Sequence, residues 1–211
     1  MIPDFIARRL KVERNRIGTI LNEISQGSTP EVGFYALIAA ASLIASLGLI
    51  ANSAAVVIGA MLVSPLMTPI FGIALGMIRG DAILVGKGIR AEVGGIVLAI
   101  AFGAFLGTLP ITTDVTPEML SRTEPTLLDL LVAVFAGFAG ALALINERIS
   151  PALPGVAIST AIVPPLSTCG LCLAFGAYRG AYGALLLFTA NFLAILLVSS
   201  LVFAMAGLVA D

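Results

Sequence analysis

The chain has 211 residues, 59% of them hydrophobic and only 11% charged, with a formal net charge of -1 and a mean hydropathy of +1.11. That balance excludes a soluble globular domain and indicates an integral membrane protein. With no His and no Trp, most metal and acid/base chemistry near neutral pH lacks its usual residue, so no enzyme activity, cofactor, metal or nucleic-acid partner is expected.

Residues 3–25 place Ile6, Leu10, Ile17, Leu21 and Ile24 at helical spacing among Arg and Glu, which predicts an amphipathic leader over 1–30. Its basic face suits an anionic membrane surface; a packing arm fits the pattern equally well. No apolar run precedes residue 30, so no cleavable signal peptide is expected. Thr29, Pro30 and Glu31 then supply a helix start.

Gly33 to Ala51 is long enough to cross the roughly 30 Å hydrocarbon core of a bilayer. Only Asn52 and Ser53 separate it from a second span, Ala54 to Ile78, and a third is expected from about Glu92 to Leu109. A polar linker over 110–126 joins this first three-helix repeat, 31–109, to a second one over 127–211. The second has spans at Leu127 to Ile145, Gly155 to Tyr178 and Gly183 to Ala210, with a turn from Asn146 to Pro154.

The division into halves rests on a duplication. Ala55 to Gly80 reads AVVIGAMLVSPLMTPIFGIALGMIRG, and Gly155 to Gly180 reads GVAISTAIVPPLSTCGLCLAFGAYRG, 100 residues later and without a gap. Identity holds at Pro65/Pro165, Leu66/Leu166, Thr68/Thr168, Gly76/Gly176, Arg79/Arg179 and Gly80/Gly180, among other pairs. Three spans per half is an odd number, so the halves are oppositely oriented. The expected fold is all-α: six transmembrane helices in two inverted repeats, the ground plan of many secondary transporters. Five Lys/Arg before the first span, three at Arg79, Lys87 and Arg90, and Arg148 place nine of the eleven on one side. The positive-inside rule then puts both termini in the cytoplasm and the chain in the plasma membrane.

Proline in a helix interior removes a donor and clashes with the carbonyl four residues back. Pro65 and Pro69, and Pro164 and Pro165, therefore predict broken second and fifth helices, freeing the oxygens of Met61, Pro65, Thr160 and Ala161. Ser64, Thr68, Ser159, Thr160, Ser167 and Thr168 stand nearby with hydroxyls, and Asn52, Asn146 and Asn191 complete a candidate solute or ion path. Glu92 and Arg90 are the intramembrane charges, read either as an ion pair that also draws on Lys87 or as a site for a coupling cation. Cys169 and Cys172 lack companion ligands and read as apolar filling. Arg79 and Arg179 read as helix C-terminal caps. Gly72, Gly76 and Gly80, Gly103 and Gly107, and Gly176 and Gly180 form GxxxG faces for close helix approach.

NSAAVVIGAMLVSPLMTPIFGIALG, Asn52 to Gly76, and PGVAISTAIVPPLSTCGL, Pro154 to Leu171, resemble domain-of-unknown-function family 389, hydrophobic bacterial and archaeal membrane proteins. The resemblance implies an integral membrane protein that lives in a lipid bilayer as a homo-oligomer; it implies no substrate. The residues point to a transporter or channel for a small solute or ion, with a non-transporting scaffold or sensor module as the alternative.

Overall fold

Capping chemistry sets most helix boundaries. The computed structural model describes residues 14–111, 114–146 and 152–209, and every regular element among them is helical. In order these are α1 (Arg14–Gly27), α2 (Val32–Ile50), α3 (Ala54–Val63), α4 (Met67–Arg79), α5 (Ala82–Gly107), α6 (Pro117–Leu120), α7 (Leu127–Ile145), α8 (Ala152–Ala174) and α9 (Tyr178–Met205). Arg8, Arg9, Lys11 and Arg148 lie outside the described residues, as does the side chain of Thr160. Ser53 caps α3 by accepting from the Val56 amide, and Thr126 and Asp129 form a reciprocal capping box at the start of α7.

The third span begins at Ala82, well ahead of the expected Glu92. Gly80 takes a left-handed conformation, φ +65°, that ends α4, and Asp81 at once accepts from the amides of Ile83 and Leu84 to start α5. Lys87, Arg90 and Glu92 are therefore all inside one helix. The second half turns earlier, at Gly176, φ +72°, so its mate Gly76 lies inside α4 while Gly180 lies inside α9. Arg79 and Arg179 lose their equivalence for the same reason: Arg79 ends α4 and Arg179 sits in the first turn of α9.

Small-residue contacts fix the relative directions of the helices. α5 returns antiparallel along α4, with Gly76 against Val85, Gly88 against Pro69 and Ile73, and Gly95 against Leu66. α8 runs parallel to α5, where Gly103 meets Ser167 and Gly170, and Gly107 meets Ala174. α9 is antiparallel to α8, joined through Gly180 and Cys172 at one end and Asn191 and Ala161 further along. It is parallel to α4: the Phe71 and Phe203 rings pack edge to face at 5.6 Å, and Arg79 Nη1 donates to the Leu208 carbonyl at 2.9 Å. Side chains from Ala161 to Cys172 are buried throughout, so α8 is the central helix of the bundle.

The described part of the leader is a packing arm. Ile20 and Ile24 on α1 are fully buried in the core with Ile70, Phe71 and Ala74 of α4. Arg16 donates to the Leu144 carbonyl at 3.3 Å and Lys87 Nζ to Ser25 Oγ at 3.4 Å, so α1 crosses one end of the bundle. The linker closes the other: Thr116 donates to the Leu49 carbonyl at 2.7 Å, and Met119 is buried with Leu49, Leu106 and Leu171.

Among the described residues, four helices are long and apolar enough to cross a membrane, five when α3 and α4 count as one span bent by 52°. The glycine faces are spent inside the chain, except Gly80 and Gly176, whose added Cβ would meet nothing within 4 Å and which serve the turns. Gly103→Leu should therefore destabilise the fold by about 1–3 kcal/mol or more, because α8 backbone leaves no room for the new side chain. Thermal unfolding in detergent measures this; an unchanged melting temperature would mean that α5 and α8 do not meet there.

Candidate functional site

In the first proline element, Pro65 cannot donate to Met61, and Ser64, extended at ψ 127° as the residue before a proline prefers, ends α3. The chain re-enters a helix at Met67. Pro69 then falls in the first turn of α4, where its missing donor costs nothing. The polar groups here have local work: Ser64 Oγ accepts from the Leu66 amide at 3.5 Å, and the Thr68 carbonyl accepts from Ser28 Oγ at 3.1 Å.

The second proline element does not break its helix, contrary to the sequence expectation. α8 runs unbroken from Ala152 to Ala174 with Pro164 and Pro165 inside it. The compensation comes from α9: Asn191 Nδ2 donates to the Ala161 carbonyl, which Pro165 leaves without its backbone donor, at 3.1 Å. A carbonyl only accepts, so this contact fixes the amide orientation and leaves Asn191 Oδ1 buried with no donor. Asn191 is 3% exposed and sits near the middle of α9.

Around that amide lies a cavity of about 330 Å³ lined by Ser121, Arg122, Asp129, Val132, Ala161, Pro165, Leu187 and Asn191. Arg122 is held at its mouth by Glu118, at 2.8 Å one helical turn back. Asp129 is held by Thr126, whose Oγ1 donates to it at 2.6 Å. The lining thus combines a cation and an anion, both restrained, with exposed apolar Val132, with Leu187 and Pro165, and with the Asn191 amide, whose Oδ1 is sealed from solvent. Such a space suits a small, partly apolar solute with a polar or charged end. Sequence reasoning found Pro165 and Asn191 but missed Arg122 and Asp129. The Thr126-x-x-Asp129 spacing signals a helix cap, and nothing local signals that the linker folds back over α8.

The remaining expected site residues do not join this cavity. Asn52, at φ +50°, is exposed and accepts from the Glu118 amide at 3.0 Å, tying the linker to the α2–α3 turn. Asn146 ends α7 at the opposite end of the bundle, beside the leader. Ser159, Ser167 and Thr168 are buried on α8; the hydroxyls of Ser167 and Thr168 have no partner, nor do those of Ser42 and Ser46 on α2. Cys169 and Cys172 are free and buried, packed with Ala181 and Ala184.

The expected Glu92 ion pair is absent. Glu92 is 2% exposed and neither carboxylate oxygen has a partner. Lys87 reaches Ser25 instead, and Arg90 is exposed, its carbonyl accepting from Tyr35 OH at 3.4 Å. Positions two and five residues away on a helix do not share the Glu92 face. That face belongs to Gly88 and Gly95, which flank Glu92 and press on Pro69 and Leu66. Glu92 is therefore directed at the start of α4, beside the first proline break.

Comparison with known proteins gives a family and no activity. An uncharacterised protein of Methanocaldococcus jannaschii is 30% identical over 168 residues, covering 79% of this chain and 52% of that protein. The chain thus spans about half the length of this curated relative. No solved structure matches. A family model described as "Domain of unknown function (DUF389)" matches residues 61–197, which include both proline elements, Glu92 and Asn191, and the chain belongs to that family.

Proposed function

We propose that the chain transports a small solute or ion across the plasma membrane, through six spanning helices arranged as two oppositely oriented halves. The observation that carries the reading is the cavity beside Asn191, a mid-helix amide that mends the Pro165 gap with its nitrogen and keeps its oxygen unpaired and buried behind the cavity lining. Leaving a buried acceptor unpaired costs roughly 1–3 kcal/mol, which a solute with a donor would recover once the packing over Oδ1 shifts to admit it. The helix directions support inverted halves: if α2 runs outward, then the α3–α4 pair, α5, α7, α8 and α9 alternate, which makes α5 parallel to α8 and α4 parallel to α9. Both parallel pairs are present. The chain has no enzyme role in this reading, and it assembles as a homo-oligomer through exposed apolar surface such as Leu127, Leu128 and Phe135 of α7, since its glycine faces are occupied internally.

The test is flux into proteoliposomes across a panel of inorganic ions and small metabolites. At least one panel member should move, and Val132→Trp, which narrows the mouth from an exposed position, should slow it about tenfold, or about 1.4 kcal/mol. No flux of any panel member would favour the scaffold. Orientation is tested separately. Ser121→Cys in a cysteine-free background should react with an impermeant reagent from outside, because the linker is extracytoplasmic when both termini are cytoplasmic. Reaction only after permeabilisation would invert the topology.

A further inference from the structure

We propose that Glu92 is a proton-binding site that couples transport to a proton gradient, taking a proton from water on one side of the membrane and releasing it on the other. The proposal rests on the transport reading and adds the coupling ion to it. Three observations carry it. The carboxyl is buried at mid-bundle with both oxygens unpartnered, and an ionised carboxylate left so in an apolar interior costs several kcal/mol. It faces the stretch from Leu66 to Pro69, where prolines at 65 and 69 remove two backbone donors. Around such a stretch acceptors outnumber donors: an ionised carboxylate adds acceptors, whereas a protonated one supplies a donor.

The space favours a proton over a metal ion. On either side of Glu92, an added Cβ at Gly88 or Gly95 would lie 2.7–2.9 Å from Pro69, Ile73, Leu66 or Ile38, so the interface has no volume for a metal ion and its shell. Among the described residues, no group of three or more Cys, Asp or Glu side chains could hold a metal. Charged and titratable groups on the packed elements do not neutralise it either. Tyr35 of α2 donates to Arg90 and Arg79 of α4 to Leu208, Glu31 is exposed before α2, and α8 offers only Cys169 and Cys172, which pack towards α9. Across the bundle, the Asn191 amide donates to a proline-freed carbonyl. A protonated Glu92 would bring the same capacity to the first break, so gain and loss of the proton would switch a donor on and off beside the 52° bend.

The test needs no transported solute. Dicyclohexylcarbodiimide, which adds to protonated carboxyls, is applied to the folded chain in detergent, and modification of Glu92 is read by mass spectrometry across pH at fixed sodium and potassium. Modification should occur at Glu92, fall at least about tenfold as pH rises, and ignore sodium and potassium. Glu92→Gln should remove the label. Glu92→Asp, which keeps a carboxyl, should retain it and serves as the folded control. Modification that sodium or potassium suppresses at fixed pH, that does not vary with pH, or that never reaches Glu92 would overturn the proposal. In proteoliposomes, uptake driven by a pH gradient should drop about tenfold in Glu92→Gln. A parent that moves nothing removes the transport reading and leaves the labelling result standing.

Discussion

Asn191→Ala loses about 1–2 kcal/mol of stability, and Pro165→Ala placed in the same chain restores most of it. Asn191 Nδ2 holds the Ala161 carbonyl only because Pro165 cannot. Removing the amide strands the Ala161 carbonyl, at roughly 1–3 kcal/mol, and removes the unpaired Asn191 Oδ1, which offsets part of that loss. Hydrogen bonds between membrane helices are worth rather less, about 0.6 kcal/mol on average with a maximum near 1.7, which keeps the expected loss in the lower part of that interval. With alanine at position 165 the backbone amide returns and can close the bond to Ala161, so Asn191 becomes dispensable for the helix. The two substitutions should therefore be non-additive by about 1 kcal/mol or more in a double-mutant cycle of thermal or denaturant unfolding. Additive losses would mean that Asn191 stabilises the bundle in some other way. Flux separates the two duties of this residue. The double variant should be stable yet slowed about tenfold, because the cavity has lost the Asn191 side chain from its lining.

The same pair shows where the sequence is legible and where it stops. Signals that act within a few residues are readable. Pro65 ends a helix, and the helical spacing of Ile17, Leu21 and Ile24 predicts an amphipathic α1. Leu127 to Ile145 is bounded correctly because its capping box and closing Asn146 are both local. The interior of α8 is not readable. Pro164 and Pro165 break a helix by local rules, and the donor that keeps it whole lies 30 residues on, in another helix. The start of α5 is placed too late because Lys87, Arg90 and Glu92 look like an entrance when charge alone is weighed. Gly80 and Asp81 settle it otherwise. Glu92 itself stands out as an intramembrane charge, but its isolation depends on Lys87 and Arg90 pointing elsewhere on the helix, towards Ser25 and solvent.

Divergence between the halves has a physical logic that the duplication alone does not convey. Both prolines at 65 and 165 free a carbonyl, yet among the described residues a side-chain donor lies over the second alone, from Asn191. Ser64 stands where the second half has Pro164, and Pro69 where it has Cys169. Ser64 accepts from the Leu66 amide once the helix has opened, and Pro69 is tolerated only because α4 begins afresh just before it. The first element is built to stay open, and the second is held closed from outside.

Straightening the first break therefore takes two substitutions. Pro65→Ala alone returns the donor for Met61, but if α3 and α4 then ran together, Pro69 would become an interior proline. Its ring would clash with the carbonyl of residue 65, at a cost near 3 kcal/mol. The single variant should keep most of the 52° bend and lose flux only modestly. Pro65→Ala with Pro69→Ala removes both obstacles, allowing one continuous helix through the middle of the membrane and withdrawing the open backbone from the face of Glu92. That chain should stay folded, since each substitution removes a helix-breaking residue, and solute flux should fall by about tenfold or more. Melting temperature and flux are measured on the same preparations. Lost assembly with no specific change in flux would mark the bend as a packing feature required by α1 and α5. Undiminished flux in a well-folded double variant would show that transport does not use the break.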